Sequence, residues 1–212
     1  MNPRLLSTAL VALACLSTSQ SASAAPEAYT VDPAHTSIVF SVSHTGFSYT
    51  YGFFRKAEGQ YILDKANPAA CQFRFTIQTN SLDTNHPERD KHLMSPDFFS
   101  AQEFPTITFV STSCAQANTP DGSIVYNVTG NLTLHGVTRS ITIPLRMLGE
   151  GVGPFKDYRS GFLTNFTLKR TDFGMSNLLD NNMVGEAVAV TISFEGSRQD
   201  AAGTPPARPG TR

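Results

Sequence analysis

Apolar residues recur at every second position through most of this chain, and the alternation assigns faces to successive strands. Ile38, Phe40 and Val42 share one face, while Ser37, Ser41 and Ser43 share the other. The segment from Phe53 to Leu63 is more mixed, with Tyr61 and Leu63 continuing the pattern. Cys71, Phe73, Phe75 and Ile77 then alternate with Gln72, Arg74, Thr76 and Gln78. The texture changes between Ser81 and Gln102, where Pro87 to Met94 reads as a short helix with proline in its first turn. From Pro105 the period of two resumes: Ile107 and Phe109, then Ile124 to Leu134, Ile141 to Leu145, Phe162 to Leu168 and Val188 to Phe194. Gly136 divides two of these runs as a hairpin turn.

About eight antiparallel strands in up-and-down order, each apolar on one face, are best satisfied by a sheet closed on itself, because closure removes exposed edges. A two-sheet sandwich is the competing architecture. The length of the strands and the scarcity of polar residues on the inward faces favour the barrel. The expected fold is therefore all-β: an eight-stranded antiparallel up-and-down barrel with a short helical insertion. A closed sheet of this strand number is either filled by side chains or holds one small ligand. Counting by twos predicts that Phe40, Phe75, Ile77, Phe109, Leu132, Leu134, Phe166 and Ile192 line one apolar cavity, suited to a long lipophilic molecule.

Composition narrows the classes further. The 212 residues carry 16 Lys+Arg against 17 Asp+Glu, with no basic run. That argues against nucleic-acid binding, which needs a concentrated cationic footprint. Fifteen Phe and six Tyr supply ample core volume without any Trp, and 15 Gly with 13 Pro indicate many turns. The first 24 residues read as a secretory signal: Arg4, an apolar run from Leu5 to Leu16, and an A-x-A site at Ala22-Ser23-Ala24. The run is shorter than the roughly 18 to 20 apolar residues a membrane-spanning helix requires. Cleavage after Ala24 leaves an exported domain over residues 25–196 and a Gly/Pro/Arg tail over 197–212, expected to be disordered. A competing reading of Cys15 as a lipoprotein acylation site fits poorly, since Ala12 and Leu13 stand where Leu followed by a small residue is wanted. In an oxidising compartment Cys71 and Cys114 form either a disulfide or a pair of buried thiols behaving as small hydrophobes.

Four ordered stretches carry a family resemblance. They are Tyr29-Thr30-Val31-Asp32-Pro33-Ala34-His35-Thr36-Ser37-Ile38-Val39-Phe40, Arg89-Asp90-Lys91-His92-Leu93-Met94-Ser95-Pro96-Asp97-Phe98-Phe99, Gly130-Asn131-Leu132-Thr133-Leu134-His135-Gly136-Val137-Thr138, and Leu168-Lys169-Arg170-Thr171-Asp172-Phe173-Gly174-Met175. Together they resemble the YceI family over almost the whole span from Tyr29 to Phe194. The resemblance implies a lipocalin-like barrel, usually periplasmic, whose cavity holds polyisoprenoids or other long-chain amphiphiles. It also implies occasional association with cytochrome b561 domains and with stress responses, and it supplies no catalytic residues.

The remaining motifs have bland readings beside the functional ones. Asp32-Pro33 starts a turn that His35 ties down, or contacts a ligand. Arg89 and His92 share one helix face. They either meet an acidic headgroup at the barrel mouth or pin a helical lid, with Leu93, Phe98 and Phe99 packed beneath it. His135, next to Gly136, is expected to point outward or into the turn. Asp172-Phe173-Gly174 matches a kinase magnesium motif only superficially, because no glycine-rich phosphate loop accompanies it. The sequons at Asn127, Asn131 and Asn165 fall inside strands and mark strands. His86 and His92 are six residues apart, which does not align two imidazoles for a metal, and no G-x-S-x-G elbow marks a hydrolase.

The expectation is thus a non-enzymatic periplasmic binding protein, without catalytic or metal residues. It would carry or sequester an isoprenoid, a quinone or a fatty amphiphile in place of a cofactor. The alternative is a quinone-presenting redox partner of a membrane cytochrome b561, and a homodimer is compatible with either.

Overall fold

The computed structural model describes residues 25–180 and 182–199. The expected signal segment, its cleavage site and Cys15 lie outside these residues, as does the tail beyond Gln199. Eleven strand segments build one antiparallel sheet: β1 (Glu27–Val31), β2 (Ser37–His44), β3 (Ser48–Phe54), β4 (Ala57–Leu63), β5 (Gln72–Gln78), β6 (Leu82–Asp83), β7 (Thr106–Asn118), β8 (Ile124–Leu134), β9 (Val137–Val152), β10 (Tyr158–Lys169) and β11 (Val184–Arg198). Segments β1 with β2, β3 with β4 and β5 with β6 are consecutive halves of bent strands, so the barrel has eight strands in up-and-down order. Pairing of β1 with β11 closes it, from Tyr29↔Arg198 to Val31↔Gly196.

The three bends lie side by side, and each has a local cause. Between β1 and β2, Pro33 enters a 3₁₀ turn (Pro33–His35) capped by Asp32, whose Oδ1 accepts from the Ala34 N–H at 2.9 Å. Between β3 and β4, the N–H groups of Arg55 and Lys56 leave the ladder for the Ser81 carbonyl and hydroxyl, respectively. Between β5 and β6, Thr79 turns its N–H to the Pro105 carbonyl and its hydroxyl to the Phe104 carbonyl. These breaks explain why the sequence from Phe53 to Leu63 looks mixed, since its facing changes at the corner.

Above the bends the barrel is closed and solid. Tyr29 stacks on Tyr61 at 4.8 Å, Tyr61 on Phe73 at 5.5 Å, and Phe162 on Phe194 at 5.3 Å. All five rings are at most 2% exposed. The Tyr61 hydroxyl is satisfied by Ser160, and burial pushes its phenol above the ordinary range, so it stays protonated. Gly196 faces this plug, where a Cβ would fall 2.3 Å from the Tyr61 oxygen. A disulfide joins Cys71 to Cys114 at the same end, with Cα atoms 5.8 Å apart. Strand β11 runs through Ser197 and Arg198, past the expected domain end at 196. These two residues are held by pairing with Thr30 and Tyr29 of β1, which corrects the expectation of a disordered tail from Ser197.

An ionic network fastens the first bend. Arg159 donates to Asp32, Asp157 and Glu195, and the His35 ring donates to Asp32 at 2.9 Å. Burial pushes the Asp32 carboxyl up, but hydrogen bonds from His35, Arg159 and the Ala34 N–H outweigh it and hold the group at about 2. A depressed carboxyl stabilises the fold above its unfolded range and loses that effect as pH falls through the folded value. Asp32→Asn keeps the capping oxygen while removing the charge. It is expected to destabilise the domain by up to about 2 kcal/mol at neutral pH. Denaturation series at several pH values should show the difference from the parent closing between about pH 4 and pH 2. A difference independent of pH would assign the loss to packing instead.

Candidate functional site

Below the bends the sheet parts in two places. Strands β9 and β10 pair only from Val152↔Tyr158 to Arg146↔Leu163, and beyond that they diverge. On the other side β6 pairs with Phe53 and Phe54 alone, leaving Ser48 to Gly52 of β3 without a strand partner on that edge among the described residues. Each gap is covered by a segment folded across it. The first cover is the 3₁₀ turn Arg170–Phe173 with Met175, and the second is helix α1 (Pro87–Leu93) with the residues up to Phe99.

The space between these covers and the aromatic plug is an apolar cavity of about 170 Å³. All eight residues expected on the inward faces line it: Phe40, Phe75, Ile77, Phe109, Leu132, Leu134, Phe166 and Ile192. Along β11 the lining runs from Val188 to Phe194, roughly 20 Å at the strand rise of about 3.3 Å per residue. Leu93, Phe98 and Phe99 roof one side, as expected beneath the helix. The cavity is thus narrow, elongated and almost wholly hydrocarbon.

Arg89 and His92 do not reach it. The Arg89 guanidinium donates to the Thr84 hydroxyl at 2.7 Å and to the Thr84 carbonyl at 2.7 Å, while His92 pairs with Asp97 at 3.0 Å and lays its ring against Phe98. Of the two readings open from the sequence, headgroup contact at the cavity mouth or a pin for the helical lid, these bonds are those of the pin. On a helix of seven residues, both side chains point back to the loops at its ends and pin the cover in place. His86 caps the same helix by accepting the Arg89 N–H.

Three residues of the other cover were not anticipated as lining: Arg170, Phe173 and Met175. Arg170 is 5% exposed and donates to the carbonyls of Gly185, Met175 and Val184. Burial pushes its guanidinium down from the ordinary value, partly offset by Glu186. His135, with φ of 52°, sits in the β8–β9 turn and bonds to the Phe173 carbonyl at 2.9 Å, while Arg139 donates to the Asp172 carbonyl. Its ring therefore points toward the Arg170–Phe173 cover. The signal for this arrangement was Gly174 after a polar run: its φ of 75° ends the turn and lets Phe173 and Met175 both fold inward.

Among the described residues, one polar atom at the cavity wall has no partner. The Thr164 hydroxyl is buried without a hydrogen bond, and an unsatisfied group of this kind costs about 1–3 kcal/mol. Thr164→Val preserves shape and removes the hydroxyl, so it is expected to stabilise the domain by about 1 kcal/mol. Calorimetry should register this as a rise of about 2–4 °C in the unfolding midpoint. A lowered midpoint would mean that the hydroxyl is paired in solution.

A closed eight-strand antiparallel barrel, plugged at one end and hollow and greasy at the other, with a short helix across an opening, is a lipocalin-like architecture. Comparison of sequences makes the assignment specific. The YceI-like domain model matches residues 29–196, and the chain belongs to this family. A UPF0312 protein of Pseudomonas aeruginosa is 44% identical over 165 residues, 78% of this chain and 83% of the relative. A UPF0312 protein of an Enterobacter species is 39% identical over 199 residues, 94% of this chain and 99% of the relative. Among solved structures, Burkholderia cenocepacia BcnA superimposes with a TM-score of 0.69 at 26% identity, over 78% of this chain and 98% of that one. A polyisoprenoid binding domain from Saccharophagus degradans has the same fold, with a TM-score of 0.62 at 17% identity, over 81% of this chain and 98% of that one.

Proposed function

We propose that this protein is an exported carrier that sequesters a long-chain isoprenoid or similar lipophilic amphiphile in the lower half of its barrel, without chemistry of its own. The observation that carries the reading is the cavity, which runs roughly 20 Å along β11 at the strand rise of about 3.3 Å per residue and is walled almost entirely by Phe, Ile, Leu and Val. Such a wall binds by removing hydrocarbon from water, worth roughly 25 cal/mol per Å² of apolar area, less the ordering cost of a flexible chain. It offers no ion pair or cluster of hydrogen-bonding groups to a polar substrate. The Saccharophagus degradans domain, named for polyisoprenoid binding, shares the fold and supports the same ligand class. The signal-like first 24 residues support export to the periplasm.

The test is mass spectrometry of an organic extract from protein purified without detergent. An isoprenoid or fatty derivative in stoichiometric amount is the expected result, and a quinone would redirect the reading to presentation of a redox carrier to a membrane cytochrome. Repeated extracts with no lipid, together with failure to bind an added polyprenol, would overturn it.

A further inference from the structure

The described surface has two groups of exposed large apolar side chains, at opposite ends of the barrel. One is Leu148, Val152 and Phe155 on the β9–β10 hairpin, beside the solid aromatic plug. The other is at the hollow end: Phe47 is 93% exposed, Tyr49 65%, Tyr51 60% and Met183 40%. Phe47 follows a turn in which Thr45 and Gly46 both have positive φ, and the Thr45 N–H is tied to the Met183 carbonyl at 2.9 Å. Tyr49 and Tyr51 face outward from β3, opposite Ser43 and Ser41, so small neighbours leave the rings standing proud. Beside them a groove holds Arg55, Arg89 and His44 with a single acid, Asp83, already paired to Arg55 at 2.8 Å. The groove lining carries one positive charge in excess of Asp83, with the Asp90 carboxylate behind it accepting from Thr84, on a chain whose net charge is −1.

We propose that the β2–β3 hairpin docks this protein on an anionic phospholipid surface. A side chain 93% exposed has no wall around it, so it fits a fluid acyl layer better than a shaped protein pocket. Phenylalanine at a tip with tyrosines behind it places an apolar anchor below amphipathic rings that favour the interfacial zone. Arg55, whose side chain is more than half exposed, complements acidic headgroups, while Arg89 stays tied to Thr84. The hairpin is also continuous with the cavity: Val42, two positions before His44, and Val184, paired with His44, both line it. Docking here would set the hollow end of the barrel, not the plugged one, against the bilayer.

Sedimentation of the purified exported protein with vesicles of phosphatidylethanolamine and phosphatidylglycerol tests this. The parent should bind, and bind more weakly to phosphatidylcholine vesicles and at high salt. Phe47→Ser combined with Tyr49→Ser should reduce the partition coefficient roughly tenfold to a hundredfold with an unchanged unfolding midpoint, whereas Phe155→Ser should leave binding unchanged. No binding by the parent, an undiminished double variant, or equal loss in Phe155→Ser would overturn the proposal. Conversion of a dimer to a monomer by the double variant would overturn it too, by assigning the patch to a second copy of the chain. Vesicle binding by protein that neither retains nor takes up lipid would uphold docking while refuting the carrier reading, so the two fail separately.

Discussion

Truncating Phe162 to Ala is expected to lower the unfolding free energy by about 3–5 kcal/mol, the range for losing a large aromatic from a packed core. Phe162 is fully buried and meets four rings: Tyr61 at 5.5 Å, Phe73 at 5.8 Å, Tyr126 at 6.1 Å and Phe194 at 5.3 Å. The plug lies in the closed part of the barrel, where β1 to β11 pairing and the Cys71–Cys114 bridge hold the walls. Collapse into the vacated space is therefore small, which puts the loss toward the upper part of the range. Equilibrium urea unfolding measures it, with an unchanged denaturant slope as the check that the two-state comparison holds. A loss below about 1.5 kcal/mol would show that the upper half relaxes freely and does not act as a rigid floor for the cavity.

How much of this was legible beforehand depends on what each residue's environment reports. The cavity-lining stretches of β2, β5, β7, β8, β10 and β11 follow a period of two, with the register shifts of β7 and β11 falling outside them at Ser111 to Ser113 and Val184 to Val188, and the eight lining residues could be placed by counting. The corner could not be counted. At the bends between β1 and β2 and between β3 and β4 the backbone leaves the ladder for side-chain and loop partners, and β1 itself, five residues ahead of Pro33, carries too short a pattern to stand out. Helix α1 was placed within a residue from Pro87 and the change of texture. Spacing leaves its side chains open between headgroup contact and lid pin, because Arg89 and His92 share a face while their partners, Thr84 and Asp97, lie in loops that periodicity does not describe.

The second cover was the least visible. Phe173 and Met175 lie in a polar stretch with no periodicity, and only the folded chain shows that Arg170 turns inward to bind three carbonyls. Its effect on function is indirect. By tying the turn to Val184 and Gly185, it keeps Phe173 over the opening between β9 and β10. His135, at the β8–β9 turn, closes the same seam from the other side. A histidine expected to point outward or into its own turn is thus a latch on the neighbouring cover.

Replacing Phe166 with Glu is expected to abolish lipid retention while leaving the barrel folded. Phe166 lines the cavity from β10, opposite Val190 on β11, and lies on the stretch where β10 has lost its pairing with β9. It is only half-buried, so the new carboxyl can reach water in the free protein and the fold tolerates it. With a hydrocarbon tail in place that route closes, and the charge must either be desolvated beside the tail or take up a proton. Either penalty exceeds the gain from the few methylenes it displaces, so affinity for a polyprenol should fall more than about a hundredfold, or 2.7 kcal/mol. Asn131→Asp, which adds a charge on the exposed face of β8, is the control and should bind as the parent does. Titration of both variants with a fluorescent polyprenol, alongside their unfolding curves, separates loss of binding from loss of fold. Normal binding by a folded Phe166→Glu protein would place the lipid somewhere other than the barrel interior, since no hydrocarbon chain can fill this cavity without touching the β10 wall.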